Sequence, residues 1–126
     1  MSEFASRWPD VRLWAIARIR PTTSGVEVSA ERQALAQQVV VSVVPQQLET
    51  AVSRFYLVNI EGWDSSDKNA AADLASDAAF QIESAPRDSS PVVKAEINSG
   101  PNENRDPDSG EYSYSVTVLV TIHRLP

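Results

Sequence analysis

The last part of the chain carries a long period-two pattern, and this pattern constrains the fold more than any other feature. From Tyr112 to His123, aromatic and β-branched residues occupy the even positions, and mainly serine, threonine and leucine occupy the odd positions. Alternation over this length is typical of a β-strand that packs one face on a core and leaves the other in water or against a partner. The pattern therefore predicts a sheet that is covered on one side.

Hydrophobic periodicity predicts six further elements before this strand. Helices are predicted over 9–20 and 65–85, because apolar residues recur there at three- and four-residue spacing. Strands are predicted for 26–28, 39–44, 54–61 and 92–98 from their β-branched and aromatic content. Pro45 is expected to end the second strand, and the polar segments 46–53 and 99–110 are expected to be loops. The stretch 31–38 fits either a loop or a short helix.

The resulting order, α-β-β-β-α-β-β, predicts one α+β domain across residues 1–126. Both helices would cover one face of a mixed sheet of four or five strands, and the unit at 54–98 would form a right-handed crossover. A length of 126 residues is usual for a single domain. No apolar run approaches the ~20 residues of a membrane span, and the first residues lack the layout of a signal peptide. Synthesis in a cytoplasm is therefore expected.

The composition argues against catalysis and against bound cofactors. The chain has no cysteine and a single histidine, His123, and it contains neither a phosphate-binding glycine loop nor a nucleophile elbow. The acidic segment 102–111 offers oxygen ligands, but its spacing does not match a calcium-binding loop. Asp73 and Asp77 lie one helical turn apart and face away from the apolar stripe. We therefore expect no enzyme activity, no metal and no cofactor.

Charge is distributed unevenly along the chain, and this distribution suggests self-association. The net charge is −6, with +1 on residues 1–60 and −7 on residues 61–126. A net acidic protein is a poor ligand for nucleic acid, although arginines and tryptophans cluster near the N-terminus at Arg7, Trp8, Arg12, Trp14, Arg18 and Arg20. A basic first helix of one copy could instead meet the acidic half of another, which would be a heterologous contact.

The segment 100–124 resembles the C-terminal part of the tail-terminator proteins of long-tailed bacteriophages and gene-transfer agents. The shared features are a Gly-Pro step, a short polar loop, an Asp-Pro-x-Ser/Thr-Gly motif and an aromatic-rich strand. In this chain the Gly-Pro step is Gly100-Pro101, and the Asp-Pro-x-Ser/Thr-Gly motif is 106–110, with the polar loop between them. The aromatic-rich strand contains Tyr112 and Tyr114 and continues through 116–122. The Pro9-Asp10 start of the first helix, the Gly25-Val26-x-Val28 entry into a strand, the alanine-rich helix, the length and the element order are also similar.

The resemblance implies a structural protein of the virion tail or neck, assembled in the host cytoplasm. Such proteins form a ring, typically a hexamer, on the head-proximal end of the tail tube, stop its polymerisation and provide the surface to which the head docks. The implied partners are further copies, the tube protein and a head-completion or connector protein. DNA would pass through the ring without sequence-specific contacts. Another neck component, or a small ligand-binding α+β domain, are the alternatives.

The resemblance also suggests which loops make contacts. Loops at one end of the sheet would meet the tube, and the candidates are 102–111, 46–53 and the strand-to-helix corner at 63–67. The basic first helix would pair with acids of a neighbouring copy. The candidate contact residues are Arg12, Arg18, Arg20, Gln46, Gln47, Glu49, Trp63, Asp64, Asp67, Asn102, Asn104, Arg105, Asp106, Asp108 and Glu111.

Overall fold

The computed structural model describes residues 10–22, 25–49, 53–87 and 91–123, and these form one five-stranded mixed sheet with two helices. The first helix, α1, spans Val11–Ile19, and the second, α2, spans Lys68–Glu83. The strands are β1 (Glu27–Ser29), β2 (Gln37–Glu49), β3 (Ser53–Asp64), β4 (Val92–Arg105) and β5 (Tyr112–His123). The predicted element order and the α+β class are therefore confirmed.

The strands lie side by side in the order β1-β2-β3-β5-β4, so the regular strand β5 is internal. Only β1 and β2 pair in parallel, and every other pairing is antiparallel. A parallel connection normally needs a dozen residues or more. The seven residues 30–36 suffice here because β1 is only three residues long, so the chain travels back only a short distance.

The core lies between one face of the sheet and both helices, as predicted. The alternation in β5 is confirmed, since its even positions from Val116 to Ile122 are at most 2% exposed while most of the odd ones are half-buried. In α2 the buried stripe consists mainly of alanines, which allows the helix to approach the sheet closely. At Gly62 the approach is so close that a Cβ atom would lie 2.3 Å from the carbonyl oxygen of Ala71.

Two strands are longer than the sequence indicates, because each continues through a proline. β2 runs past Pro45 to Glu49, so the predicted loop at 46–53 is wrong up to that point. β1 pairs only with Gln38–Val40, so at Pro45, which pairs with Tyr56 of β3, the other edge of β2 has no neighbour among the described strands.

In β4 the strand continues to Arg105, so the predicted loop at 99–110 shortens to the turn at 106–111. β4 is an edge strand, and the ladder shifts register between Ser99 and Asn102, which accommodates Pro101. Gly100 has a φ of 104°, and a Cβ there would lie 2.4 Å from the carbonyl oxygen of Ser115, so the bulge requires glycine.

Regular alternation over 92–98 predicts that Val93, Ala95 and Ile97 face inward, and this prediction is partly wrong. Val93 and Ile97 are each 44% exposed, although Val92 is buried. A second register shift between Val92 and Lys94 turns Val93 away from the core. Ile97 pairs with Val118 but lies on the outermost strand, where the helices leave it uncovered.

Candidate functional site

The two ends of the sheet carry the candidate contact loops. At one end of the sheet lie the starts of β2 and β5 and the ends of β3 and β4. The pairings that show this are Gln37↔Asp64, Trp63↔Ser113 and Arg105↔Tyr112. We call this the Arg32 end, after the side chain at its centre. The registers Glu49↔Arg54 and Ser53↔His123 define the opposite end.

The centre of the Arg32 end is a cation held by two acids and an indole. Arg32, in the segment 30–36, donates to the carboxylates of both Asp106 and Glu111. Its guanidinium carbon lies 3.7 Å from the centroid of the Trp63 ring, a geometry in which the ring quadrupole attracts the charge. These four residues, Arg32, Trp63, Asp106 and Glu111, form what we call the Arg32 cluster, which joins three separate parts of the chain.

A buried glutamine holds the same segment from the other side. Gln38 is 1% exposed, and its amide nitrogen donates to the carbonyl oxygens of Gln33 at 2.7 Å and of Leu35 at 3.2 Å. Its amide oxygen accepts from the backbone N–H of Gln33 at 2.8 Å. The backbone N–H of Ser65 donates to the carbonyl oxygen of Ala36 at 2.8 Å. The segment 30–36 is irregular in structure but is therefore fixed at both faces.

The corner between β3 and α2 is built by two aspartates in succession. Asp64 Oδ1 accepts from the backbone N–H groups of Ser66 at 2.9 Å and Asp67 at 3.1 Å. Asp67 then caps α2 by accepting from the backbone N–H groups of Asn69 and Ala70, as an aspartate at the N-cap typically does. These hydrogen bonds, first among them the one from the Ser66 backbone, lower the pKa of Asp64.

The turn between β4 and β5 is organised in a similar way by Asp106. Its carboxylate accepts from the backbone N–H of Asp108 at 3.0 Å, and this bond, followed by the contact with Arg32, lowers the pKa of Asp106. The backbone N–H of Gly110 donates to the carbonyl oxygen of Asp106 at 2.8 Å, which closes the turn. Asp106 and Asp64 are therefore both ionised near neutral pH.

A second cationic contact joins the start of α2 to the β4–β5 hairpin. Lys68 Nζ lies 3.2 Å from a carboxylate oxygen of Glu103 and 3.8 Å from the centroid of the Tyr112 ring. The hydrogen bond with Glu103 raises the pKa of Lys68. Tyr114 also donates to Glu103, at 3.2 Å, and partial burial followed by this contact raises its pKa. The helix start is thus tied to both strands of the hairpin.

These loops enclose an open groove with two adjoining lobes. One lobe, of about 560 Å³, lies between 32–36 and the side chains of Ser65, Ser109 and Glu111. The other, of about 410 Å³, lies between 64–68 and 109–112 and shares those same three residues. Two of the segments that the sequence singled out, 63–67 and 106–111, therefore form one surface. The third wall, 32–36, was missed by the sequence reasoning.

The remaining candidate residues are dispersed. Asn102, Asn104 and Arg105 are exposed in β4 and not in a loop, and Asn104 donates to Ser115 Oγ at 3.0 Å. Gln46 lies near the opposite end in β2. Gln47 and Glu49 also lie in β2, but the structure does not describe their side chains. Arg7 and Trp8 lie outside the described residues.

The three arginines of the first helix differ in their surroundings. Arg18 donates to the carbonyl oxygen of Gln81 at 2.5 Å, so it joins α1 to α2 within the chain. Arg20 donates to the carbonyl oxygen of Val28 at 2.9 Å and lies 3.8 Å from Glu27. Arg12 is exposed at the start of α1. Arg12 lines a shallow pocket together with Val43, Pro45 and Tyr56.

Within residues 10–22, 25–49, 53–87 and 91–123, no three of the His, Asp and Glu side chains come together in a way that could hold a metal ion. His123 is exposed at the end of β5, and its backbone N–H donates to the carbonyl oxygen of Pro91. Neither helix of the described chain is long and apolar enough to cross a bilayer.

Comparisons with known proteins add no relative to this picture. No protein-family model matches the chain, and a search of curated proteins returns no match either. Inferences about function therefore depend on the sequence patterns and on the surfaces of this fold.

Proposed function

We propose that the chain is an assembly subunit without enzymatic activity, a tail terminator of a long-tailed bacteriophage. In this role, copies of the chain form a ring on the head-proximal end of the tail tube, a hexamer if it follows the proteins it resembles. The ring stops polymerisation of the tube protein and offers a surface to a head-completion or connector protein.

One observation carries the proposal: the segments 63–67 and 106–111 form a single, internally fixed surface at the Arg32 end. A subunit that recognises the rim of a tube needs loops that are already held in one conformation. Otherwise the entropy cost of ordering each loop on binding would lower the affinity of an already weak contact. The Arg32 cluster and the Gln38 amide supply this order through contacts within the chain. Identical weak contacts then add up when several subunits are joined in a ring.

The helix-free face of the sheet is a second supporting feature. Along β5 it presents Thr117, Leu119 and Thr121, which are half-buried and which no described helix covers. A face of this mixed polar and apolar character is compatible with contacts that form only on assembly.

The test is the length and attachment of tails assembled with and without the chain. Without a terminator, electron microscopy is expected to show overlong tubes of uncontrolled length, and added protein is expected to restore length and to appear as ring density at one tube end. Tails of normal length that fail to join heads would instead identify a different neck component. Tubes of normal length that join heads normally would refute both.

A small-ligand domain is the alternative from another class, and the 560 Å³ lobe is the feature that would favour it. A protein that remains monomeric, never binds tubes and gains thermal stability with a small molecule would support that alternative. Light scattering combined with negative-stain imaging separates the two, because rings with a central hole are expected only for the assembly subunit.

A further inference from the structure

The outer surface of α1 is an apolar stripe with basic neighbours. Leu13 is 60% exposed, and Ala17, one turn further along, is also exposed. Arg12 lies beside Leu13, and Arg20, whose side chain is 60% exposed, follows at the end of the helix. The opposite side of α1 is buried in the core. The helix therefore has a second, smaller apolar surface that its own sheet does not use.

The groove at the Arg32 end has the matching chemistry. One wall is the exposed apolar run of Ala34, Leu35 and Ala36, with Leu35 42% exposed. The rim around it is acidic and includes Asp64, Asp67, Asp108 and Glu111. Lys68, the cation of the neighbouring lobe, is already engaged with Glu103. Arg32, which also lines the groove, is engaged with Asp106 and Glu111. The groove thus combines an apolar wall with a rim that has more carboxylates than cations.

We propose that these two surfaces bind each other in neighbouring copies of the chain, with α1 of one copy in the Arg32-end groove of the next. This proposal rests on the proposed function, which requires self-association, and it names the contact. Leu13 and Ala17 would face the 34–36 wall, and Arg12 and Arg20 would face the acidic rim. Because the two surfaces lie on different parts of the molecule, the contact is heterologous and can close into a ring.

Charge complementarity is the argument for a second copy as the occupant. Two copies with a net charge of −6 repel each other in most orientations. The basic surface of α1 against the acidic groove is an orientation in which this repulsion is replaced by attraction. Opposite charges at the edge of an apolar contact favour one orientation and suppress others, which a ring of fixed geometry requires.

The decisive experiment uses two variants that each remove one half of the contact. Leu13→Asp alters only the helix surface and Leu35→Asp alters only the groove, while both positions are exposed enough for the fold to tolerate the change. Phe80→Asp, at an equally exposed apolar position on α2 outside both surfaces, is the matched control. Circular dichroism verifies that each variant is folded.

In sedimentation velocity, the wild-type chain and Phe80→Asp are expected to self-associate with increasing concentration. Leu13→Asp and Leu35→Asp are each expected to lose roughly tenfold or more in association constant, because a carboxylate would be buried in an apolar contact. An equimolar mixture of these two variants is expected to stop at a one-to-one dimer, since one intact helix surface and one intact groove remain.

Cross-linking gives an independent readout because the chain has no cysteine. Leu13→Cys mixed with Leu35→Cys is expected to give a disulfide-linked dimer under mild oxidation, whereas either variant alone is expected to form no disulfide-linked dimer, because its cysteine would face a leucine in the neighbouring copy. Phe80→Cys mixed with either variant is the control and is expected to give only background.

Three results would overturn the contact: a wild-type chain that is monomeric up to its solubility limit, variants at 13 or 35 that associate like the wild type, or a mixture that gives no dimer and no mixed disulfide. Failure of the function is distinguishable. If the mixture of the two variants dimerises as expected but the wild-type chain has no effect on tail length or attachment, the contact is supported and the terminator role is rejected. Normal capping of tails by Leu13→Asp and by Leu35→Asp rejects the contact and retains the role.

Discussion

The helix-covered face of the sheet and the Arg32 end are stabilised by different physics. On the covered face, valines, isoleucines and alanines are removed from water almost completely, and this stabilisation is non-directional and hardly affected by salt. At the Arg32 end, a partly exposed guanidinium, an indole and two carboxylates hold the segment 30–36, the end of β3 and the β4–β5 turn together through directional contacts. The first region therefore determines whether the chain folds, and the second determines the shape of the surface it offers.

The largest effect is expected from a cavity on the covered face. Ile60 is fully buried between β3 and α2, so Ile60→Ala is expected to lower the free energy of unfolding by about 2–5 kcal/mol. The effect should be independent of salt concentration. Urea denaturation measures it, and Val44→Ala, at a position 54% exposed on the helix-free face, is the control with a loss below about 1 kcal/mol. Equal losses at both sites would contradict the assignment of the core to one face.

The next effect tests the close contact between β3 and α2. In Gly62→Val the new side chain would meet the Ala71 carbonyl oxygen and, at 2.8 Å, the backbone nitrogen of Ala75, neither of which can rotate away. A loss of about 1–3 kcal/mol is expected from the displacement of α2. Ser42→Val, on an exposed position of β2, is the control, and it should be neutral within about 0.5 kcal/mol.

A smaller effect is expected at the Arg32 end, with a different signature. Arg32→Gln removes the stack on Trp63, which contributes roughly 0.5–1 kcal/mol, and also both ion pairs. The difference in stability from the wild type should shrink as salt is added, because partly exposed pairs are screened. Denaturation at low and high salt measures this dependence. A difference that does not respond to salt would mean that packing on Trp63 alone holds the segment.

Acid should also distinguish the two regions. A carboxyl group with a lowered pKa in the folded state adds stability above its unfolded value, about 3.9 for aspartate, and this contribution is lost as the pH falls through the folded value. Asp64 and Asp106 are the two groups concerned. Stability is therefore expected to decline below about pH 4, and less steeply in Asp106→Asn. If stability declines equally steeply with acid in Asp106→Asn and in the wild type, Asp106 does not contribute to the pH dependence of stability.

The smallest effect is expected where two charges are simply exposed. Lys94 and Glu96 pair at 2.9 Å with side chains 68% and 57% exposed. Lys94→Gln is therefore expected to change stability by less than about 0.5 kcal/mol at any salt concentration. It is the matched reference for Arg32→Gln, since both substitutions remove one paired cation.

Local patterns predicted most of the elements but not their full lengths. The period of two in β5 and the alanine stripe of α2 are strong signals, because each depends only on which side chains face the core. The sequence predicts that Pro45 ends its strand and that Pro101 lies in a loop, yet each lies in a strand with one edge that no described strand covers. Whether a proline interrupts a strand depends on the neighbours of that strand, and no local pattern contains this information.

The candidate site shows the same division. The sequence predicts contacts at the strand-to-helix corner, with Trp63, Asp64 and Asp67, and in the segment 102–111, of which only 106–111 is a turn. Arg32 and Gln38, which hold these corners together, were missed because the segment 31–38 carries no periodic pattern. A signal did exist: Arg32 is the only basic residue between positions 21 and 53.

The sequence by itself determined the element order, the α+β class and the single covered face of the sheet, because burial repeats with the period of each element. Only the tertiary structure decided that Arg32 lies on Trp63 between Asp106 and Glu111, and that β2 and β4 continue through their prolines. These features join residues far apart in the chain, so they follow from the order and register of the strands.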